Sequence, residues 1–175
     1  MMETLWAPWR IEYILSEKPT GCIFCEKSSD ASTDTEDFVL YRGTSAFVLM
    51  NIYPYNNGHL MIAPYAHVPS LTALPADQLA EVFLLTQRCE TVLGRIFQPE
   101  GFNIGINLGK VAGAGIETHL HVHIVPRWNG DTNYMTAISA VRVIPQAIED
   151  AYRQLYPAFQ EGAGCEEGAR DAGTA

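Results

Sequence analysis

The chain has 175 residues, 47% of them hydrophobic and 18% charged, with a formal net charge of −9. That length supports one core with appendages, and no apolar run approaches the roughly 20 residues that cross a bilayer. From Gln160 onward Glu161, Glu166, Glu167 and Asp171 stand against Arg170, so −6 remains on the body; this excludes a broad nucleic-acid surface, although a local donor cluster can still hold a small phosphorylated ligand.

The opening MMETLWAPWRIEYILSEK mixes Glu3, Arg10, Glu12, Glu17 and Lys18 among apolar residues and does not read as a secretion signal, so a cytoplasmic location is expected. Leu5, Trp9 and Tyr13 recur at helical spacing, predicting an N-terminal helical extension over 1–19 that Pro19 and Gly21 stop. Cys22 and Cys25 follow in CIFC, a spacing that in a cytosolic chain points to metal or redox chemistry and not to a structural disulfide. The polar stretch SSDASTDTED, 28–37, is expected to be a flexible surface loop.

Three strand-like segments come next, FVLYRG from 38, SAFVLMNIYP from 45 and GHLMIAP from 58, close enough in sequence to favour antiparallel pairing. PADQLAEVFLLTQRCETVLGRIF, 75–97, predicts the longest helix, with Leu79, Val82, Phe83, Thr86, Leu93, Ile96 and Phe97 along its buried stripe. GFNIGINLG from 101 and HLHVHIVP from 119 predict two further strands, joined by the glycine-rich GKVAGAG, and a last helix is expected over about 143–159. The fold class is therefore α+β: an antiparallel sheet with one long helix and additional N- and C-terminal helices. One domain spans 20–159, and 160–175 is expected to be a disordered acidic tail.

Residues 118–128, THLHVHIVPRW, place His119, His121 and His123 on alternate positions. On a strand these three share one face while Leu120, Val122 and Ile124 face the core. Simple polar-out alternation needs no imidazole, since threonine, lysine or glutamate serves as well. The outer pair of such a row stands about 13 Å apart, too far for one ion to take all three without a bend. Divided labour along the row fits better, since imidazole can ligate metal, move protons near neutral pH or act as nucleophile. CIFC needs two more ligands for a closed tetrahedral site, and His67 with one triad histidine are the candidates.

HLHVHIVPR, with NGHLMIAP and GFNIGINLG upstream, resembles the signature of the histidine triad (HIT) superfamily of nucleotidyl hydrolases and transferases, over roughly residues 20–130. The resemblance implies a HIT-like fold, His121 as nucleophile at the α-phosphorus of a nucleotide, and His59 and His123 as donors to the phosphoryl oxygens. It implies Asn51 at the ribose hydroxyls, Asn107 before the phosphate loop, and backbone N–H groups around Gly113 near the phosphates, in a loop one residue longer than usual. It further implies a structural zinc on Cys22, Cys25, His67 and His119, and a homodimer joined through the long helix and edge strand. Trp6 and Trp9 fit a contact across such a boundary and fit packing on their own subunit equally.

Gly115 stands where many HIT hydrolases carry glutamine, which puts the usual contact near the leaving group in doubt. LWAPWRIEYI, HIVPRWNGDTNYM and RVIPQAIEDAYRQL resemble bacterial members of the diadenosine tetraphosphate phosphorylase type. That resemblance implies inorganic phosphate as the acceptor, with a small residue at 115 leaving it room and Lys110 as a nearby cation. The competing expectations are a HIT hydrolase using water, a metal enzyme built on His121, His123 and Glu117, and a nucleotide-binding module without turnover.

Overall fold

The computed structural model describes residues 21–131 and 144–161. The expected helical extension at 1–19 and the tail beyond Glu161 lie outside these residues.

Helix α1 (Ile23–Ser29) precedes strands β1 (Val39–Arg42), β2 (Ala46–Met50) and β3 (Leu60–Pro64). Helix α2 (Ala76–Phe97), strands β4 (Gly101–Ile106) and β5 (Val122–Arg127), and helix α3 (Ile148–Gln160) follow. The strands form one sheet in the order β1-β2-β3-β5-β4, every neighbouring pair antiparallel. After α2 the chain lays β4 at the edge, and β5 returns into the gap beside β3. That return carries the histidine-rich segment to the middle of the sheet.

Strand alternation sorts the apolar residues onto two faces. Ala46, Val48, Met50, Leu60, Ile62, Val122 and Ile124 meet α2 and α3 in the main core. Phe47, Leu49, Met61 and Ala63 point the other way and, with Val39, pack around Phe24 of α1 in a second, smaller core. The histidine face of the sheet is thus covered beside α1, while His123 stays half-buried. The long helix buries Val82, Leu85, Thr86, Cys89, Val92 and Leu93, whereas Phe83, expected on that stripe, is 49% exposed. The helix is rotated so that Leu85 and Cys89 take the central positions. The last helix starts at Ile148, a few residues later than its periodicity predicts, and runs through Gln160 into the expected tail.

The 28–37 stretch is not the free loop expected. Asp30 caps a short 3-10 turn at Ala31–Thr33. Arg42 on β1 pairs with Asp34 at 2.6 Å and donates to the carbonyls of Lys27, Ser28 and Asp30. Lys27 closes the loop onto Asp37 at 2.7 Å. One guanidinium therefore fastens the C-terminal end of α1 to the sheet. Arg42→Ala is expected to cost about 2–3 kcal/mol, since it removes a charged donor and orphans several half-buried carbonyls. Equilibrium denaturation would read this as a lower midpoint with unchanged slope.

Among the described residues no helix is long and apolar enough to cross a membrane.

Candidate active site and metal centre

The β3–β5 ladder ends at the pair Ile62–Val122. Further pairing would bring Pro64 into the ladder, and proline has no N–H to give. The chain therefore leaves strand geometry at His121, and Leu120 N–H instead donates to the Val68 carbonyl at 2.6 Å. Only His123 of the three triad histidines lies on a strand. The expected row on one strand face is replaced by a bend that sends His119 and His121 to different tasks. Both are buried, at 1% and 5% exposure, and Leu120, Val122 and Ile124 are buried as the alternation predicts.

His119 fills the bend in two directions. Its Nε2–H donates to the Pro64 carbonyl at 2.8 Å, which leaves Nδ1 as the lone-pair nitrogen. That atom lies 3.2 Å from Cys22 Sγ, 3.6 Å from Cys25 Sγ and 3.3 Å from His67 Nδ1. Cys25 Sγ and His67 Nδ1 are 3.2 Å apart. The four ligand atoms lie within 4.8 Å of one another. Metal–nitrogen and metal–sulfur lengths of about 2.0 and 2.3 Å imply tetrahedron edges of about 3.3–3.8 Å. The donors therefore stand nearly as far apart as one four-coordinate ion requires, and the set can hold a metal. The Pro64 carbonyl is the outer partner that fixes the His119 tautomer for it. Burial, then Cys22, raises the Cys25 thiol above its ordinary value, so two thiolates here need a cation to balance them.

His121 is oriented by its own chain. Its Nδ1–H donates to the His119 carbonyl at 2.8 Å, so the lone pair resides on Nε2. Burial lowers its affinity for a proton, with the carbonyl opposing in part. His123 is pulled down to about 4 by burial and by repulsion from His121. Both rings are therefore neutral at pH 7. Their centroids are 4.8 Å apart in an edge-on arrangement.

His59 stands behind His123 and is fully buried. Its Nδ1 accepts from the Tyr55 backbone N–H at 3.1 Å, with Asn51 Nδ2 at 3.3 Å. Nε2 therefore carries the proton and donates to His123 Nδ1 at 2.9 Å. His123 must then hold its own proton on Nε2. A backbone amide, two imidazoles and a directed N–H form one relay. The Nε2–H of His59, expected as a donor to phosphate, is directed at His123 Nδ1 in this structure.

Asn51 bridges the Tyr53 N–H, through Oδ1 at 2.9 Å, and the His59 ring. Asn107 follows β4 one step beyond the pair Ile106–Val122, a register that sets it beside His121 with no side-chain hydrogen bond among the described residues. Gly109 and Gly113 adopt positive φ on either side of a 3-10 turn at Lys110–Ala112. Lys110 and Gly115 are exposed there, and Lys110 Nζ contacts no described histidine or acid. Glu117 is likewise exposed and is not among the residues that gather around an ion site.

Three positioning features were missed in the sequence. Phe24, between the two cysteines, packs on both His119 and His121. Tyr55 lies over His59 with ring centroids 4.5 Å apart. Asn56, buried before that loop, donates to the Pro126 carbonyl and to Asp131. Asp131 in turn pairs with Arg127, so the exit of β5 is tied to the loop that delivers His59. Only the CIFC spacing carried a signal for any of the three.

Residues 32–130 match the family model described as HIT domain. The chain is 40% identical over 162 residues to the AP-4-A phosphorylase of Mycobacterium tuberculosis, covering 88% of this chain and 83% of that one. It is 33% identical over 93 residues to an asymmetrical bis(5'-nucleosyl)-tetraphosphatase of Schizosaccharomyces pombe, covering 53% of this chain and 50% of that one. Among solved structures, a zinc-bound histidine triad family protein from Mycobacterium smegmatis superposes with a TM-score of 0.63 at 29% identity, over 80% of this chain and 94% of that one.

Proposed function

Because the chain belongs to the histidine triad (HIT) family, we propose that it is a nucleotidyltransferase that cleaves diadenosine tetraphosphate by phosphorolysis, giving ATP and ADP. One observation carries the chemistry: the His119 carbonyl takes the Nδ1–H of His121 and leaves a buried, neutral Nε2 as nucleophile.

His121 Nε2 attacks the α-phosphorus, forms an N–P bond and breaks the P–O bond to the leaving ATP. His123 Nε2–H, held outward by His59, donates to the oxygen on which charge develops. An oxygen of inorganic phosphate then attacks the same phosphorus, the N–P bond breaks, and ADP leaves with His121 restored. Asn51 is assigned to the ribose hydroxyls, and the backbone N–H groups of the loop from Asn107 through Gly113 to the phosphates. Gly115 leaves room for the acceptor and Lys110 supplies its cation.

Zinc on Cys22, Cys25, His67 and His119 supplies a structural cross-link between α1, the segment after β3 and the residue before Leu120; it takes no part in the bond changes. The exposed edge strand β4 and the apolar side chains Ile104, Phe83 and Leu84 support a homodimer through that edge and the long helix.

The acceptor is tested by product analysis. With phosphate, equal ADP and ATP are expected from the dinucleotide; AMP and ATP at the same rate with or without phosphate would replace phosphorolysis by hydrolysis. The pH profile is a separate test. Burial lowers His121, so the single-turnover rate of nucleotidyl transfer should stay level as pH falls through the ordinary imidazole value and drop only below it, where Nε2 becomes protonated. An acidic limb centred at or above about pH 6.5 would contradict a neutral buried nucleophile.

A further inference from the structure

We propose that Phe24 is a positioning residue for the nucleophile: its ring, carried between two metal-ligating cysteines, holds the His121 imidazole with Nε2 aimed at the substrate. The proposal rests on the reading of His121 as nucleophile.

Among the described residues the His121 ring makes one hydrogen bond, to the carbonyl of His119 two residues before it. A single bond at Nδ1 fixes which nitrogen is protonated only while the ring stays in one rotamer; a half-turn about Cβ–Cγ would put carbon against that carbonyl. Something must hold the ring by its faces and edges. Phe24 does so with centroids 4.8 Å from His121 at a 36° tilt, and 5.1 Å from His119 at 46°. His123 lies 4.8 Å away at 76°. Phe24 is fully buried, closed in by Val39, Phe47, Leu49, Met61 and Ala63, so its own rotamer is locked by packing.

The C-x-x-C spacing explains how that ring is placed. Cys22 caps α1 and Cys25 lies in its first turn, and both thiols face His119. Phe24 projects from the same turn into the second core, under the two histidines. Binding α1 to an ion therefore presses Phe24 onto the nucleophile, while Arg42 holds the other end of the helix. The aromatic residue between the cysteines links the ion site to the reacting ring without touching either substrate or metal.

The test uses the full chain loaded with zinc and compares Phe24→Ala, Phe24→Met and, as a control in the main core on helix α3, Leu155→Ala. Zinc per chain, kcat, KM and the two-bond proton–nitrogen spectrum of the imidazoles are measured. For Phe24→Ala we expect full zinc content, KM within about twofold, and kcat lowered about 100-fold, the scale on which a misplaced reacting group slows catalysis. The spectrum should change from one His121 tautomer, protonated on Nδ1, to a mixture. Phe24→Met, which can lie along the imidazole, should recover the single tautomer and most of kcat. Leu155→Ala should lower the melting temperature alone. Unchanged kcat and tautomer in Phe24→Ala would overturn the proposal. So would a loss of rate that appears only with loss of zinc and is reversed by adding it. If the alanine variant does not fold, Phe24→Leu decides in its place, and a wild-type rate and spectrum there overturn the proposal. A wild-type protein that never carries a nucleotide on His121 would remove the reaction, yet the imidazole spectrum would still decide what Phe24 does.

Discussion

Replacing His121 with glycine or asparagine is expected to lower turnover of diadenosine tetraphosphate by at least about 10⁴-fold, the scale of loss when a covalent nucleophile is removed. Neither replacement presents a nitrogen lone pair where Nε2 stands. Asparagine keeps a polar side chain in the same buried volume, so folding and zinc content should be retained. Wild-type protein mixed with substrate and quenched without acid should carry one nucleotidyl group on this ring, and the variant none. The relay behind it predicts a graded companion result. His123→Gln keeps an N–H donor near its place and should be milder than His123→Ala, because the donor is the part that develops an interaction only as charge builds. His59→Ala should fall between them, since it removes the hydrogen bond that orients His123 and leaves the donor itself. A folded His121→Asn variant at wild-type speed would end the covalent reading, and with it both graded expectations.

The legible parts of this protein are those set by local rules. Alternation in AFVLM and LMIAP gives strands with two buried faces, and CIFC, His67 and HLHVH mark the four side chains whose donor atoms the structure gathers within 4.8 Å. What was illegible depends on partners far away in sequence. Pro64 ends the ladder beside His121, and no periodicity in HLHVHIVP announces a break caused 57 positions earlier; strand spacing therefore predicts a straight row where the chain bends. The polar stretch 28–37 reads as flexible by composition, yet one arginine on β1 collects the carbonyls of Ser28 and Asp30 and the carboxylate of Asp34. Phe83 fits the helical period as well as Leu85 does, and only the direction of packing against the sheet separates them. His59 could be assigned to phosphate or to His123 on residue type alone, and the Tyr55 N–H at its Nδ1 decides which nitrogen donates.

Removing the proposed zinc should produce the largest loss of stability of any single treatment. With free zinc at a thousand times its dissociation constant, binding to the folded state contributes about 4 kcal/mol, and peptide sites of this ligand type reach roughly 10–16 kcal/mol. For a chain of this size 1 kcal/mol moves the melting temperature by about 2–4 °C, so chelation is expected to lower it by at least about 8–16 °C. The loss should be uneven. The main core between the sheet and helices α2 and α3 contains none of the four ligands, so amide protection should persist there. It should fall in α1 and around Phe24, where Arg42 and the Lys27–Asp37 pair would still hold the helix end. Cys22→Ser and His67→Ala should reproduce the change without a chelator, since each removes one of the four donors that would hold the ion. If thermal stability and the protection of α1 are the same before and after exhaustive chelation, with zinc loss verified by direct assay, then the four residues do not hold a structural ion and the cluster is held by its own hydrogen bonds.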